Sequence, residues 1–196
     1  MTSSSDERLF LLDTNAYLRI ADSFHPLIST IFGSPPCKLR VVPDLDRELK
    51  RNPRLASKFH WASSEMYAQD RGYHLRVSHK NRGEIDTNLE YIRETARDLE
   101  LGTSPVDNFC LAYALTFRAV VVTDDGPMTS LAADFDIPVM STIDLLKLMY
   151  DTGRASLQEI RDAVAVIEGR DDIPVPKQFW KKYNLYFENF NTGTVP

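Results

Sequence analysis

Three short apolar runs constrain this chain more than any other feature: LFLL at Leu9–Leu12, LRVVP at Leu39–Pro43 and AVVV at Ala119–Val122. None shows the strict polar–apolar alternation of a half-exposed strand, so each reads as a strand covered on both faces. Each is followed at once by cap-type or helix-forming residues. Asp13, Thr14 and Asn15 precede Ala16, Tyr17, Leu18 and Ile20; Pro43 and Asp44 precede a short charged helix; Asp124 and Asp125 precede GPMTSLAADF. Buried strands alternating with helices predict a parallel sheet between helical layers.

The remaining segments fit that frame. Residues 55–69 read as one helix, with Phe59, Trp61, Met66 and Tyr67 as packing residues, and YHLRVSH (Tyr73–His79) as a short strand. From Glu84 to Leu101 the spacing Ile85, Leu89, Ile92, Ala96, Leu99 predicts an amphipathic helix ended by Gly102. Ser104 followed by Pro105 is a strong helix start. IPVM reads as a further strand, followed by a helix capped by Ser141. The fold expected is a three-layer α/β/α sandwich around a central parallel sheet over residues 8–150. A helical, aromatic extension follows over 151–196, where Phe179, Trp180, Tyr183, Tyr186 and Phe187 recur at helical spacing. That stripe reads as a docked helix, on the domain or on a second copy.

The polar opening MTSSSDER lacks the apolar run of a secretory signal, and no stretch approaches a membrane span. Cys37 and Cys110 lack zinc-ligand spacing and make no disulfide framework. A cytoplasmic location is therefore expected, with Cys110 a buried inert thiol. The net charge of −5 argues against a protein that coats nucleic acid. The charge is unevenly placed, however: residues 47–82 carry nine Lys or Arg against three acids, so the remainder carries −11. Arg47, Lys50, Arg51, Arg54 and Lys58 open this insert and are the candidate phosphate-binding residues. A solvated helix face explains such a run equally well.

Two strands end on aspartates, Asp13 and the pair Asp124–Asp125, and parallel strands place those groups at one sheet edge, where open α/β sheets bind ligands. Glu48 lies one turn beyond the second strand, and Asp107 lies in the first turn of the helix feeding the third. Each has a plain structural role available, as a helix cap or a carboxylate near a helix N-terminus. Several acids aimed at one rim repel unless cations neutralise them, and oxygen ligands select Mg2+ or Mn2+ over Zn2+. No phosphate-cradling glycine loop, calcium loop or nucleophile–histidine set is present in the sequence. A metal–carboxylate site without a nucleotide loop fits hydrolysis of phosphodiesters.

Taken together, LLDTNAYL, Glu48 within VVPDLDREL, Asp107 within SPVDNFCLAYAL, and VVVTDD followed by IPVM resemble the PIN-domain nucleases, in order, over about residues 8–150. The resemblance implies a Mg2+- or Mn2+-dependent ribonuclease acting on single-stranded or structured RNA. It carries Asp13, Glu48, Asp107 and Asp125 onto the family's acidic positions as catalytic residues. Asp13, Asp107, Asp125 and Asp124 would then be metal ligands, and Asn15 and Thr123 would support them. Asn15 would order the loop beside Asp13. Asp124 would cap the helix after Gly126 or assist from behind, leaving Asp125 to face Asp13. Toxin ribonucleases of toxin–antitoxin pairs belong to this family, which implies an antitoxin or a second copy as partner. The basic insert and the C-terminal extension depart from the short toxins. The competing readings are a non-catalytic RNA-binding or scaffold module of the same fold, and a structure-specific DNA nuclease. A phosphatase using Asp13 as nucleophile would need a second aspartate where Asn15 stands.

Overall fold

In the computed structural model, which describes residues 7–73 and 75–188, five strands form one sheet in the order β2-β3-β1-β4-β5. The opening residues 1–6, His74 of the basic segment and the last eight residues of the extension, 189–196, lie outside the described residues. Strand β1 (Arg8–Leu12) is central, parallel to β3 (Cys37–Val41) on one side and to β4 (Val120–Val122) on the other. Strand β5 (Val139–Met140) continues in parallel beyond β4. A two-residue strand β2 (Ile31–Phe32), not anticipated from the sequence, pairs antiparallel on the β3 edge.

The apolar runs of β1 and β4 have the predicted cause, whereas β3 differs from expectation and alternates, with Cys37, Leu39 and Val41 buried and Lys38 and Arg40 half-buried. Along β1, Phe10 and Leu12 enter one core cluster while Leu11 enters the other, and all three are fully buried. The first cluster lies under α1 (Thr14–Ile20), α2 (Asp44–Arg51), α8 (Thr142–Asp151), α9 (Leu157–Gly169) and α10 (Pro176–Tyr183). The second lies under α5 (His79–Asp98), α6 (Pro105–Phe117) and α7 (Gly126–Asp134). A strand between two apolar layers has no solvent face, so every position must be apolar. The three-layer α/β/α sandwich is the observed architecture. Among the described residues no helix is long and apolar enough to cross a membrane.

Three local expectations fail, each for a physical reason. Leu75–Ser78 is not a strand. The segment pairs with neither edge strand, β2 or β5, and a lone strand has no ladder for its backbone groups. Leu75 and Val77 pack instead on the second cluster, and Ser78 caps α5, accepting from the Asn81 N–H at 3.1 Å. Residues 55–69 are not one helix. They divide between α3 (Pro53–Lys58), a 3-10 turn at His60–Ser63 and α4 (Glu65–Arg71), and Phe59 leaves helical geometry at φ −121°, ψ 47°. The break lets Phe59 enter the first cluster while Met66 stays exposed. Finally, α5 begins at His79 rather than Glu84 and ends before Leu99, which is exposed.

The aromatic stripe of the extension is a docked helix. Phe179, Tyr183 and Phe187 are buried in the first cluster, with Trp180 and Tyr186 packed against it. Lys182 and the Tyr186 hydroxyl both reach Asp144 on α8, at 2.6 and 2.8 Å. Burial raises the Asp144 carboxyl, but hydrogen bonds from Lys182, Ser141 and Tyr186 outweigh it and hold the group below its ordinary value.

Candidate active site

The carboxyl edge of the sheet gathers the acids, and β1 supplies the central one. The Asp13 N–H donates to the Val122 carbonyl at 3.0 Å, extending the β1–β4 ladder and seating Asp13 beside Thr123. Its carboxylate caps α1, accepting from the Ala16 N–H, and its other oxygen accepts from the Thr123 hydroxyl. Only 5% of the residue is exposed. Burial pushes its pKa from 3.8 up to about 7, although hydrogen bonds from Thr123 and Ala16 and the charge of Arg19 oppose the rise. The plain role of helix cap is thus real, and it coexists with an acid held half-protonated near neutral pH.

Glu48 is joined to Asp13 through the chain. The Thr14 hydroxyl, one residue beyond Asp13, donates to Glu48 Oε2 at 2.5 Å. Asp107 stands in the first turn of α6 in a reciprocal box with Ser104: the Ser104 N–H donates to Asp107 Oδ2 at 2.7 Å, and the Asp107 N–H donates to the Ser104 hydroxyl at 3.1 Å. Burial raises its pKa, and the charge of Asp125 adds to the rise against the bonds from Ser104. Asp125 caps α7 through the Met128 N–H at 2.7 Å, while its own N–H donates to the Thr123 hydroxyl at 3.0 Å.

Asp124 takes the opposite direction, as consecutive residues leaving a strand must. It pairs with Arg19 Nη1 at 3.1 Å and accepts from the Thr142 N–H, at 3.2 Å, and from the Thr142 hydroxyl. The expected cap of the helix after Gly126 is therefore Asp125, not Asp124. The two aspartates also divide electrostatically: the charge of Asp124 acts on Asp13, and that of Asp125 acts on Asp107. Asn15 is exposed in the first turn of α1, and the bonds that hold Asp13 come from Thr123 and Ala16.

Arg19, Thr14 and Asp172 escaped the sequence reading. Arg19 joins the rim to the C-terminal segment, because its Nε donates to the Asp172 carbonyl at 3.1 Å while Nη1 holds Asp124. Nothing local in the sequence marks these residues, since Asp172 lies 153 positions from Arg19.

Among the described residues, no three acidic, histidine or cysteine side chains converge closely enough to form a metal site. Each rim carboxylate instead accepts from a nearby N–H or hydroxyl, at Ala16, Thr14, Ser104 or Met128. Like charges without a cation gain nothing by closer approach. The donors are all oxygens, the type a hard divalent ion takes, but among the described residues they make no ligand shell.

The candidate RNA-contacting residues separate into groups. Arg47 and Arg51 line a cleft of about 490 Å3 that also contains Glu48, and Arg47 pairs with Asp44 at 2.7 Å. Lys50 and Arg54 are exposed on the same arm. Lys58 is tied to Asp172 at 3.1 Å. Farther along the basic segment, Arg71 is buried, bonded to Asp46 at 2.8 Å, the Ala62 carbonyl at 2.8 Å and the Tyr17 hydroxyl at 3.2 Å. Part of the charge asymmetry is thus internal structure. Both cysteines are buried and free, and burial pushes the Cys110 thiol well above its ordinary value.

No protein-family model matches the chain, and no curated protein matches it. Among solved structures, the crystal structure of FitAcB from Neisseria gonorrhoeae is similar over 68% of this chain and 97% of that one, with 17% identity and a TM-score of 0.44. A likeness this distant bears on neither the site nor its chemistry. The class defined by the fold is a three-layer α/β/α protein with a mostly parallel sheet, whose central strands end on aspartates.

Proposed function

We propose that the protein is a metal-dependent endoribonuclease, hydrolysing RNA phosphodiester bonds at the carboxylate rim. The observation that carries this reading is Asp13, a carboxylate buried at the end of the central strand and raised to about 7. It shares its sheet edge with Glu48, Asp107 and Asp125. A fold that needed only a helix cap there would be served by Ser or Asn at lower desolvation cost.

Asp13, Asp107 and Asp125 would hold a Mg2+ or Mn2+ ion, which when bound supplies an acidified water and offsets charge on the leaving oxygen. Glu48, steadied by Thr14, orients the attacking water and takes its proton. The water oxygen bonds to phosphorus, the bond to the 3′ oxygen breaks, and that oxygen takes a proton from solvent, so that the products are a 5′-phosphate and a 3′-hydroxyl. Asp124, neutralised by Arg19, keeps α1 and α8 in place beside the rim.

The spread of the acids favours one other reading, a non-catalytic RNA-binding module of the same fold. Incubation of end-labelled RNA and DNA with Mg2+, with Mn2+ and with EDTA separates the two. RNA cleavage that requires the cation and is lost in Asp13→Asn is expected. RNA binding without cleavage under either metal would establish the module instead, and a preference for DNA would make it a DNA nuclease. A small antitoxin-like reading frame directly upstream would extend the proposal to a toxin of a toxin–antitoxin pair.

A further inference from the structure

We infer that the cleft between α2 and α6 is a nucleotide subsite, taking one unstacked residue of single-stranded RNA beside the bond that is cut. The inference rests on the ribonuclease reading and assigns that site a substrate-holding surface. Helix α2 buries Leu45 and Leu49 and turns Arg47, Glu48 and Arg51, spaced i, i+1 and i+4, into the cleft. Across from them, α6 contributes Val106 and Phe109, one turn apart, and Pro53 adds a further apolar surface. The volume, about 490 Å3, falls in the range of small-ligand sites.

The chemistry divides along the cleft. Glu48 is drawn toward the sheet edge by Thr14, while the two guanidiniums flank it. Arg47 pairs with Asp44, and its own side chain is 71% exposed. Such a surface pair is weak and yields readily to a phosphate. Phe109 is half-buried, packed against the second core cluster, and the Arg93 guanidinium lies over one face of its ring, 5.5 Å from the centroid. An aromatic ring beside unburied cations is the combination that binds a base face and its phosphate together.

Two larger clefts lack this combination: one of about 650 Å3 between α5 and α6 has no aromatic side chain in its lining, and the other is a cleft of about 530 Å3 between α10 and the β5 edge. There Lys182 is held by Asp144, and Asp124 by Arg19. A base inside a duplex presents only its edges, so a site that uses ring faces selects unpaired nucleotides.

The test measures anisotropy of a fluorescein-labelled octauridylate with the full chain in EDTA, where binding is read apart from cleavage. Arg51→Gln should weaken binding at least threefold at low salt and flatten the log–log salt slope by about 0.7. Phe109→Leu, which keeps an apolar side chain, should weaken binding about fivefold or more with the slope unchanged, and Phe109→Tyr should restore it. The duplex formed with octaadenylate should bind at least tenfold more weakly than the single strand. Wild-type binding by both Arg51→Gln and Phe109→Leu would overturn the subsite, as would a duplex held equally well or no binding at all. If the variants lose affinity while the wild type fails to cleave with Mn2+, the subsite stands and the ribonuclease reading falls. If the wild type cleaves and the variants bind normally, the reverse holds.

Discussion

Asp13→Asn should make the metal-free protein more stable, and only at neutral or alkaline pH. Below pH 3.8 the carboxyl is protonated in both folded and unfolded chains, so it contributes no pH-dependent term. Between pH 3.8 and about 7 the unfolded chain releases the proton while the folded one retains it, and stability falls as pH rises. Above pH 7 the folded state carries the full penalty, about 1.4 kcal/mol for each pH unit between the two values, or on the order of 4 kcal/mol as a ceiling. Asparagine keeps an acceptor for the Ala16 N–H, being an equally good N-cap. It offers Thr123 an uncharged partner in place of a charged one, which returns part of the gain. A net increase of about 2 kcal/mol at pH 8 follows, or roughly 4–8 °C in melting temperature for a chain of this size. Thermal melts of both proteins in EDTA at pH 4.5, 6 and 8 read this directly, with the gain smaller at pH 6 than at pH 8 and reversed in sign at pH 4.5, where little of the burial penalty is present. Repeating them with Mn2+ should raise the wild type, by about 2.7 kcal/mol at a hundred times the dissociation constant, and leave the variant unmoved. A variant destabilised equally at every pH would refute the reasoning, because the hydrogen bonds to Asp13 would then outweigh its burial.

Asp125→Asn should retain its cap on α7 and stay within about 0.5 kcal/mol of the wild type, while RNA cleavage falls by about a hundredfold or more. Asp124→Asn should do the converse in urea titrations, costing about 1–2 kcal/mol by leaving Arg19 with only Asp172 as a charged partner; the reverse ranking of activity losses would show that Asp124 faces the substrate. Asp70 accepts backbone N–H bonds from Leu27, Ile28 and Ser29, each at 2.9 Å; although burial raises its carboxyl, those bonds prevail and hold it below its ordinary value. Its contribution is therefore present above pH 3.8 and lost on further acidification, so Asp70→Ala should cost about 3 kcal/mol at pH 7 and progressively less below pH 3.8. Phe187→Ala should cost about 3–5 kcal/mol in a single cooperative transition; a melting temperature equal to the wild type would show that the extension contributes nothing to the core.

Local pattern carried the parts of this protein that depend on neighbours in sequence. The runs around Leu11 and Val121 have no polar position because strands between two helical layers have no wet face, whereas the strand around Leu39 carries Lys38 and Arg40 at its half-buried positions. Ser104, Ser141 and the glycine at 126 mark helix starts whatever lies around them. The placement of Asp13 at a strand end followed from the same logic. Other features were decided by distance through the fold. Tyr73–His79 has strand-like composition, yet it pairs with neither edge strand. The cations of the basic segment look alike in sequence, but Arg71 is buried against Asp46, Lys58 is tied to Asp172, and Arg47 and Arg51 open into a cleft. Asp124 and Asp125 are adjacent, and the alternation of side chains leaving β4 sends one to Arg19 and the other toward Asp107. Each of these outcomes depends on partners tens of residues away, whose positions only the packed tertiary structure determines.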